Sequence, residues 1–243
     1  MYKLLERKSR VLVRIFLFIL LFSLSGSSLF LNVSYARVKP ALVKDINSFG
    51  EGSSIGEPIV MGDKIYFRAD DGIHGIELWK SDGTESGTVM VKDINPGGES
   101  SSDGFYRNMI VMGSSLYFSA TDGVNGLELW KSDGTEAGTI MVKDISGDTT
   151  SGNPREFIVM NNVLYFSALN GVYGNELWKS DGTESGTVLV KDIYSGSVSS
   201  GFNSPVVMDG VLYFAASSSG YGSELWKSDG TESGTVMVKD IQN

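Results

Sequence analysis

The feature that most constrains this chain is an eighteen-residue segment that occurs four times. The segment "ELWKSDGTESGTVMVKDI" occupies residues 77–94 and returns unchanged at 224–241. The copies at 176–193 and 128–145 differ from it at one and two positions. A fixed period of this kind is typical of architectures in which similar units stack and bury each other's faces. Four tryptophans mark the copies, at spacings of 51, 48 and 48 residues: Trp79, Trp130, Trp178 and Trp226.

Each unit contains four short runs rich in Val, Ile, Tyr, Phe and Trp, the residues that favour strands. Gly and Asp clusters separate the runs and favour turns. No stretch after residue 37 shows a sustained helical period. The pattern predicts a four-stranded antiparallel meander in each unit. In the first unit the runs are Pro58–Met61, Lys64–Ala69, Ile76–Ser81 and Val89–Ile94.

The period, the strand number and the Gly/aromatic rhythm are those of β-propeller blades, which run ~40–50 residues. We therefore predict an all-β fold, a β-propeller of four blades in a single domain over residues 41–243. The predicted repeats lie near 47–94, 95–145, 146–193 and 194–241.

The hairpin that carries the repeated segment predicts specific cross-strand pairs. If residues 83–86 form its loop, Trp79 faces Met90 and Glu77 faces Lys92. Sulfur against indole and acid against base are favourable pairs on neighbouring strands. The same two pairings recur in the other three units.

Closure of the ring is harder to predict because "VKDI" occurs five times, once more than the number of blades. The first copy, at 43–46, could pair with the last blade as a clasp. Alternatively, 41–46 could start the first blade as its inner strand, with the C-terminal copy closing the circle. A third alternative is an open or dimeric ring, with two chains making eight blades. We expect a single closed ring of four, because closure hides strand edges that invite aggregation.

Residues 1–36 have the composition of a targeting segment. Basic residues precede the apolar run 11–22, and a small-x-small pattern follows at 34–36. This order predicts a signal peptide cleaved near Ala36, with an uncleaved membrane anchor as the alternative. We therefore expect a secreted, periplasmic or surface-displayed protein.

Composition excludes several classes of site and partner. The chain has no cysteine and one histidine, so thiol chemistry, disulfides and multi-histidine metal sites are excluded. Residues 38–243 carry 14 Lys/Arg against 28 Asp/Glu. Such an acidic surface repels nucleic acid and anionic membranes. The remaining partners are protein or glycan ligands, and contact with a membrane only through the N-terminal segment.

The string Glu-Leu-Trp-Lys-Ser-Asp-Gly-Thr resembles the ELWxxDGT repeat of secreted or surface proteins from diverse bacteria. Copies stand at 77–84, 128–135, 176–183 and 224–231, and the resemblance covers residues 42–243. It implies a propeller-like fold, sometimes labelled hyalin-like, and no particular activity.

The repeated residues are predicted to be structural, because four equal copies provide four similar environments rather than one differentiated catalytic site. The alternatives are sugar stacking for the tryptophans and half of a calcium loop for the Asp-Gly turn, which lacks suitable ligands at its third and fifth positions. We expect no cofactor, and a structural divalent cation has weak support. The repeated set comprises Trp79, Trp130, Trp178, Trp226, Asp82, Asp133, Asp181 and Asp229.

Positions that depart from the repeat are the candidate binding residues. One aligned position, just before a glycine, varies between units, as a binding surface or an unconstrained loop would. A second candidate pair is Arg107 and Arg155 with Tyr106 beside the first. Two guanidinium groups at a channel mouth could grip a carboxylate, or they could be ordinary surface cations. The variable position is occupied by His74, Asn125, Tyr173 and Tyr221.

These observations favour a non-enzymatic binding or adhesion module. A propeller-type glycan hydrolase is the first alternative, and it would need a pair of carboxylates in the channel. The non-repeated acids Asp103, Asp148 and Glu156 could supply them, although no spacing links these three. A purely structural envelope or matrix component is the second alternative.

Overall fold

Every regular element in the described part of the chain is a β-strand. The computed structural model describes residues 40–56, 58–101 and 109–241, and Leu42–Asn243 forms one compact unit. Within these residues no helix is long and apolar enough to cross a membrane. The predicted targeting segment, 1–36, lies outside the described residues.

Four sheets follow one another along the chain, and each is an antiparallel meander of four strands. The first sheet contains β1 (Ile59–Met61), β2 (Lys64–Asp70), β3 (Ile76–Ser81) and β4 (Val89–Lys92). The second contains β5 (Met109–Met112), β6 (Ser115–Ala120), β7 (Glu128–Ser132) and β8 (Ile140–Lys143). The third contains β9 (Arg155–Met160), β10 (Val163–Asn170), β11 (Gly174–Ser180) and β12 (Val188–Lys191). The fourth contains β13 (Asn203–Met208), β14 (Val211–Ser218), β15 (Gly222–Ser228) and β16 (Val236–Lys239).

The predicted fold class, four propeller blades of four antiparallel strands, is confirmed. The first strands of consecutive sheets lie next to one another, β1 beside β5, β5 beside β9 and β9 beside β13. The fourth strands therefore lie at the outer edge. This is the radial order of strands in propeller blades.

The register of the third and fourth strands confirms one predicted pair and corrects the other. Trp79 faces Met90, and the equivalent pairs occur in the other three sheets. Lys92, however, faces Leu78 rather than Glu77, because the register shifts between Leu78 and Trp79. The prediction of a Glu77–Lys92 pair is therefore wrong. The shift is a β-bulge that adds one residue to β4 and moves Val91 into the apolar cluster of Leu78.

The repeated Asp-Gly turn is a closed network of short side chains. Asp82 Oδ1 accepts hydrogen bonds from Thr84 N at 2.9 Å and from Thr84 Oγ1 at 2.7 Å. Thr84 Oγ1 in turn accepts from Gly87 N at 2.9 Å. Ser81 and Thr88 join their hydroxyls beneath the turn at 2.7 Å. Each of these side chains forms a hydrogen bond within the turn. The repeated residues of this segment therefore have a structural role.

Successive sheets pack face to face through one interface that is used three times. Tyr66 and Leu78 of the first sheet lie in one apolar cluster with Phe118 and Trp130 of the second. Equivalent residues join the second sheet to the third and the third to the fourth. Burying such side chains contributes about 1.5–3 kcal/mol each, so these interfaces hold the sheets together.

Each interface also has a polar contact at the Asp-Gly turn of the following sheet. Lys80 donates a hydrogen bond to the Gly134 carbonyl at 2.7 Å. The hydroxyl of Tyr66 lies where a side chain at Gly134 would begin, since an added Cβ would approach it to 2.1 Å. The same two contacts recur at Gly182 and Gly230. The turn glycine therefore also makes room for the tyrosine of the preceding sheet.

The sheets do not close into a ring, so the expected single ring of four is wrong. No apolar cluster of the described residues joins the fourth sheet to the first. Leu225 of the fourth sheet is 42% exposed, whereas its three equivalents, in the other sheets, are 0–2% exposed. The physical reason is that no following sheet covers this face.

The first "VKDI" copy, residues 43–46, lies on the face of the first sheet that a preceding sheet would cover. Residues 43–46 form no strand, so the two expected roles as a clasp strand or an inner strand are wrong. Ile46 instead packs on Phe67, Ala69 and Trp79 of the first sheet. Lys44 donates to the Thr88 carbonyl at 2.9 Å, as Lys92 does to that of Thr139. Residues 43–46 therefore occupy the place of the outer strand of a preceding sheet.

We predict that Gly182→Ala destabilises the protein more than Gly83→Ala does. Both glycines have φ of 90°, so each alanine costs about 1–2 kcal/mol in backbone strain. Only at Gly182 would the Cβ meet another side chain, the hydroxyl of Tyr117, at 2.2 Å. That overpacking costs a further ~1–3 kcal/mol. Urea unfolding of both variants measures the difference, and equal losses would contradict this account of the interface.

Candidate functional site

The loops between the second and third strands of each sheet contain the predicted variable position, and we call them the tip loops. They comprise residues 71–75, 122–126, 170–174 and 218–222. In the first, Asp71 Oδ1 accepts hydrogen bonds from the backbone N–H groups of Ile73 and His74, both at 2.9 Å. Asp122 holds Val124 and Asn125 in the same way. This Asx geometry fixes the backbone of these two loops.

The connections from one sheet to the next lie against the tip loops, at the same end of the sheets. Ile76 N donates to Ser100 Oγ at 3.0 Å, and Leu127 N and Asn175 N make the equivalent bonds. Gly75 has φ of 72°, and a Cβ there would come within 2.7–2.8 Å of the Glu99–Ser100 backbone. The tip loops and the connections therefore form one layer.

Buried glutamates fasten this layer to the sheets. Glu77 is completely buried, and its carboxylate accepts hydrogen bonds from Ile94 N at 3.0 Å and Asn95 N at 3.3 Å. Glu128 and Glu176 bind backbone N–H groups of their own connections in the same way. Burial raises the pKa of Glu77 and Glu176 to about 7, against the pull of these hydrogen bonds, and it also raises the pKa of Glu128.

These glutamates are the part of the site that the sequence did not reveal. An acid followed by Leu-Trp in a strand indicates a partner, and lysine is the nearest charge in the pattern. The true partners are backbone amides 17 to 24 residues away, which carry no sequence signal. The clue in the sequence is that an acid precedes Leu-Trp in all four units.

The variable position is exposed to different degrees in the four loops. Nδ1 of His74 contacts Oδ2 of Asp71 at 2.7 Å, and this hydrogen bond raises the pKa of the imidazole. Asn125 Nδ2 donates to Asp122 Oδ2 at 2.8 Å. Tyr173 and Tyr221 are 37% and 53% exposed. Apolar neighbours on the first three loops are also exposed: Ile73, Val124 and Val172.

The predicted arginine pair cannot be assembled from the described residues. Arg107 and Tyr106 lie outside them. Arg155 begins β9, opposite Ser167 of β10. The neighbouring Glu156 Oε2 accepts a hydrogen bond from Ser204 N of the fourth sheet at 3.3 Å.

The predicted structural residues lie in the frame rather than on the tip layer. The four tryptophans are 6–7% exposed, so their ring faces are unavailable for stacking on a sugar. Their buried indole N–H groups have no hydrogen-bond partner in the described structure. The repeated aspartates cap their turns, and the hydrogen bonds from threonine lower the pKa of Asp82, Asp133, Asp181 and Asp229.

The arrangement has few groups suited to metal chemistry. Across residues 40–56, 58–101 and 109–241, no cluster of three or more His, Cys, Asp or Glu side chains could hold a metal ion. Of the non-repeated acids, Asp103 lies outside these ranges. Asp148 caps Thr150 through Thr150 N at 2.7 Å and Oγ1 at 2.6 Å.

Comparison with known proteins gives only distant likenesses. No protein-family model matches the sequence, and no curated protein matches it. Among solved structures, the computationally designed Ika8 protein is 12% identical with a TM-score of 0.45, over 82% of this chain and 52% of that one. A prolyl endopeptidase structure is 9% identical with a TM-score of 0.49, over 79% of this chain and 28% of that one. An α-L-arabinofuranosidase from Clostridium thermocellum is 16% identical with a TM-score of 0.36, over 79% of this chain and 74% of that one.

These likenesses do not establish a function. All three TM-scores lie below 0.5, and all three identities below 25%. The chain spans about half of the Ika8 chain and less than a third of the endopeptidase chain. The fold is therefore described from its own four sheets.

We predict that stability falls as the pH rises from 5 to 8. Glu77 and Glu176 have folded pKa values of about 7, above the usual 4.5, so the folded state binds their protons more tightly. Their contribution to the free energy of unfolding is complete below about pH 4.5. As the pH rises through 7, the two glutamates together lose about 2–5 kcal/mol of this contribution. The turn aspartates have lowered pKa values, so their contribution is lost only in acid, below their usual 3.8.

Thermal unfolding between pH 5 and 8 measures this dependence. The double variant Glu77→Gln/Glu176→Gln has no carboxylate to titrate at these two positions, so its slope should be flatter. A midpoint that rises with pH over this range, or an unchanged slope in the double variant, would contradict the assignment.

Proposed function

We propose that this chain is a non-enzymatic binding or adhesion module whose ligand contacts the tip loops. One observation carries the proposal: the four units have the same frame residues, but the side chains at their tips differ and are at least partly exposed. A side chain without a role in the frame is free to differ, and it is also free to contact a ligand. The tips are therefore the part of the molecule where the units differ and a ligand has access.

The chemistry of the tips favours a glycan over a charged polymer. Tyr173 and Tyr221 expose aromatic rings with a polar hydroxyl, and Val172 is 65% exposed beside Tyr173. Rings of this kind bind partners that are apolar on one face and hydrogen-bonding at the rim. The net charge of −9 disfavours polyanionic ligands. A neutral sugar chain satisfies both conditions, and a protein partner is the alternative.

Hydrolysis is less well supported by the same residues. A glycosidase needs two free carboxyl groups on either side of the bond that it cleaves. The carboxylates of Glu77, Glu128 and Glu176 are buried and bonded to backbone amides. Asp148 and Glu156 are engaged with Thr150 and Ser204. These five acids thus each have a structural partner.

The proposed place of action is outside the cytoplasm. It is supported by the basic and apolar composition of residues 1–36 and by the resemblance of the four repeats to secreted ELWxxDGT proteins. Because the chain has no cysteine, its core alone must hold the fold there without disulfides.

A glycan array tests the proposal, with the full chain and the double variant Tyr173→Ala/Tyr221→Ala. We expect retained, uncleaved hits and a loss of roughly tenfold in affinity in the variant, as for removal of an aromatic hot spot. The matched control is Ile140→Ala/Val188→Ala, two apolar residues of similar exposure that begin outer strands at the opposite end of the sheets.

Three results would overturn the proposal. Equal affinity of the tyrosine variant and the wild type would remove the tips from the binding surface. Cleavage of the retained glycans would favour a hydrolase. An array without hits, together with an immobilised-protein screen without hits, would favour a purely structural protein.

A further inference from the structure

The fourth sheet has an apolar face that no described residue covers, and we call it the open face. It comprises Met208, Tyr213, Leu225, Val238 and Ile241. We infer that the open face binds the first sheet of a second copy of this chain, in the geometry by which each sheet already binds the next. The inference goes beyond the proposed function, because the tip loops play no part in it.

Each residue of the open face has three equivalents that show what covers it. Ile241 is 73% exposed, whereas Ile94, Ile145 and Ile193 are 2–6% exposed. Val238 is 46% exposed, and its equivalents are all 6% exposed. In every covered case the covering group is the Leu-Phe-Ala-Trp face of the following sheet. The occupant is therefore defined by contacts seen three times in the same molecule.

The first sheet has the complementary surface. Gly134, Gly182 and Gly230 are buried beneath the tyrosine hydroxyl of the preceding sheet. Gly83, at the same position of the first sheet, is exposed, and a Cβ there would meet nothing within 4 Å. Tyr213 and Lys227 have the positions in the fourth sheet from which the other sheets contact this glycine. Lys227 is exposed, whereas Lys80, Lys131 and Lys179 donate to glycine carbonyls.

Part of the first-sheet surface is already occupied by residues 43–46. Ile46 and Lys44 make the contacts that Ile241 and Lys239 would make in a second copy. The two segments have the same four letters, Val-Lys-Asp-Ile. Exchange of one for the other therefore preserves the outer contacts and adds those of Tyr213, Leu225 and Lys227. Residues 43–46 are thus a competitor for the same surface within each chain.

The expected assembly is a dimer. A head-to-tail contact between identical copies gives a closed ring if the rotation closes and a filament if it does not. Two copies of four sheets make eight, which lies within the range of propeller rings of roughly four to eight blades. Closure of this kind leaves neither an open face nor an empty Gly83 turn.

Sedimentation velocity tests the inference on the protein as it is purified from the expressing cell. Three proteins are compared: the wild type, Leu225→Asp and Ile140→Asp. The wild type should dimerise, and Leu225→Asp should weaken dimerisation by roughly 100-fold, because a carboxylate would be buried in an apolar interface. The matched control is Ile140→Asp, at 44% exposure. Its equivalents Val89, Val188 and Val236 stay at 36–39% whether or not a sheet follows, so this position lies outside the interface.

A fourth protein tests the competition. The variant Lys44→Ala/Ile46→Ala weakens the binding of residues 43–46 to the first sheet and should therefore tighten dimerisation. If the fourth sheet associated non-specifically instead, the variant would leave the dimerisation constant unchanged. Circular dichroism checks that Leu225→Asp stays folded, which its exposed position in the single chain favours. A monomeric wild type at high concentration, or a Leu225→Asp protein that associates like Ile140→Asp, would overturn the inference.

Discussion

The structure depends on the packing of one sheet's face against the opposite face of the next. Tyr66 and Leu78 of the first sheet meet Phe118 and Trp130 of the second, and the motif repeats along the chain. A four-stranded meander cannot bury both of its faces alone, so each sheet is stable only beside another. The turn glycine serves this contact twice, since it adopts a positive φ and leaves room for a tyrosine hydroxyl.

The repeated residues form the frame of the sheets, and the variable residues lie at the tips. The frame residues are the same in every unit because each one satisfies a buried contact. The glutamates show how strict the requirement is, because Glu77 is completely buried with a pKa of about 7 only to hold two backbone amides. The tips have no such duty, and the exposed rings of Tyr173 and Tyr221 are therefore the part of the chain best placed to recognise a ligand.

The same packing rule makes the ends of the array conspicuous. Residues 43–46 cover part of the first sheet as an outer strand would. Ile46 and Lys44 take the places that Ile94 and Lys92 have against the second sheet. The fourth sheet has no such substitute, which leaves Leu225 and Ile241 exposed. The outer faces of a repeat array need a cover, and among the described residues only the face of the first sheet has one.

The sequence by itself determined the number of units, the four strands in each, the turns and the Trp79–Met90 pair, because spacing and alternation encode local geometry. Only the tertiary structure decided the partner of Glu77, the bulge that placed Lys92 opposite Leu78, and the place of residues 43–46. The first depends on backbone amides and the second on a register shift. Neither of these is tied to a particular amino acid, so neither can be read from the sequence. The third could not be predicted because two segments with the same letters compete for one surface, and only the packed sheets show which of them occupies it.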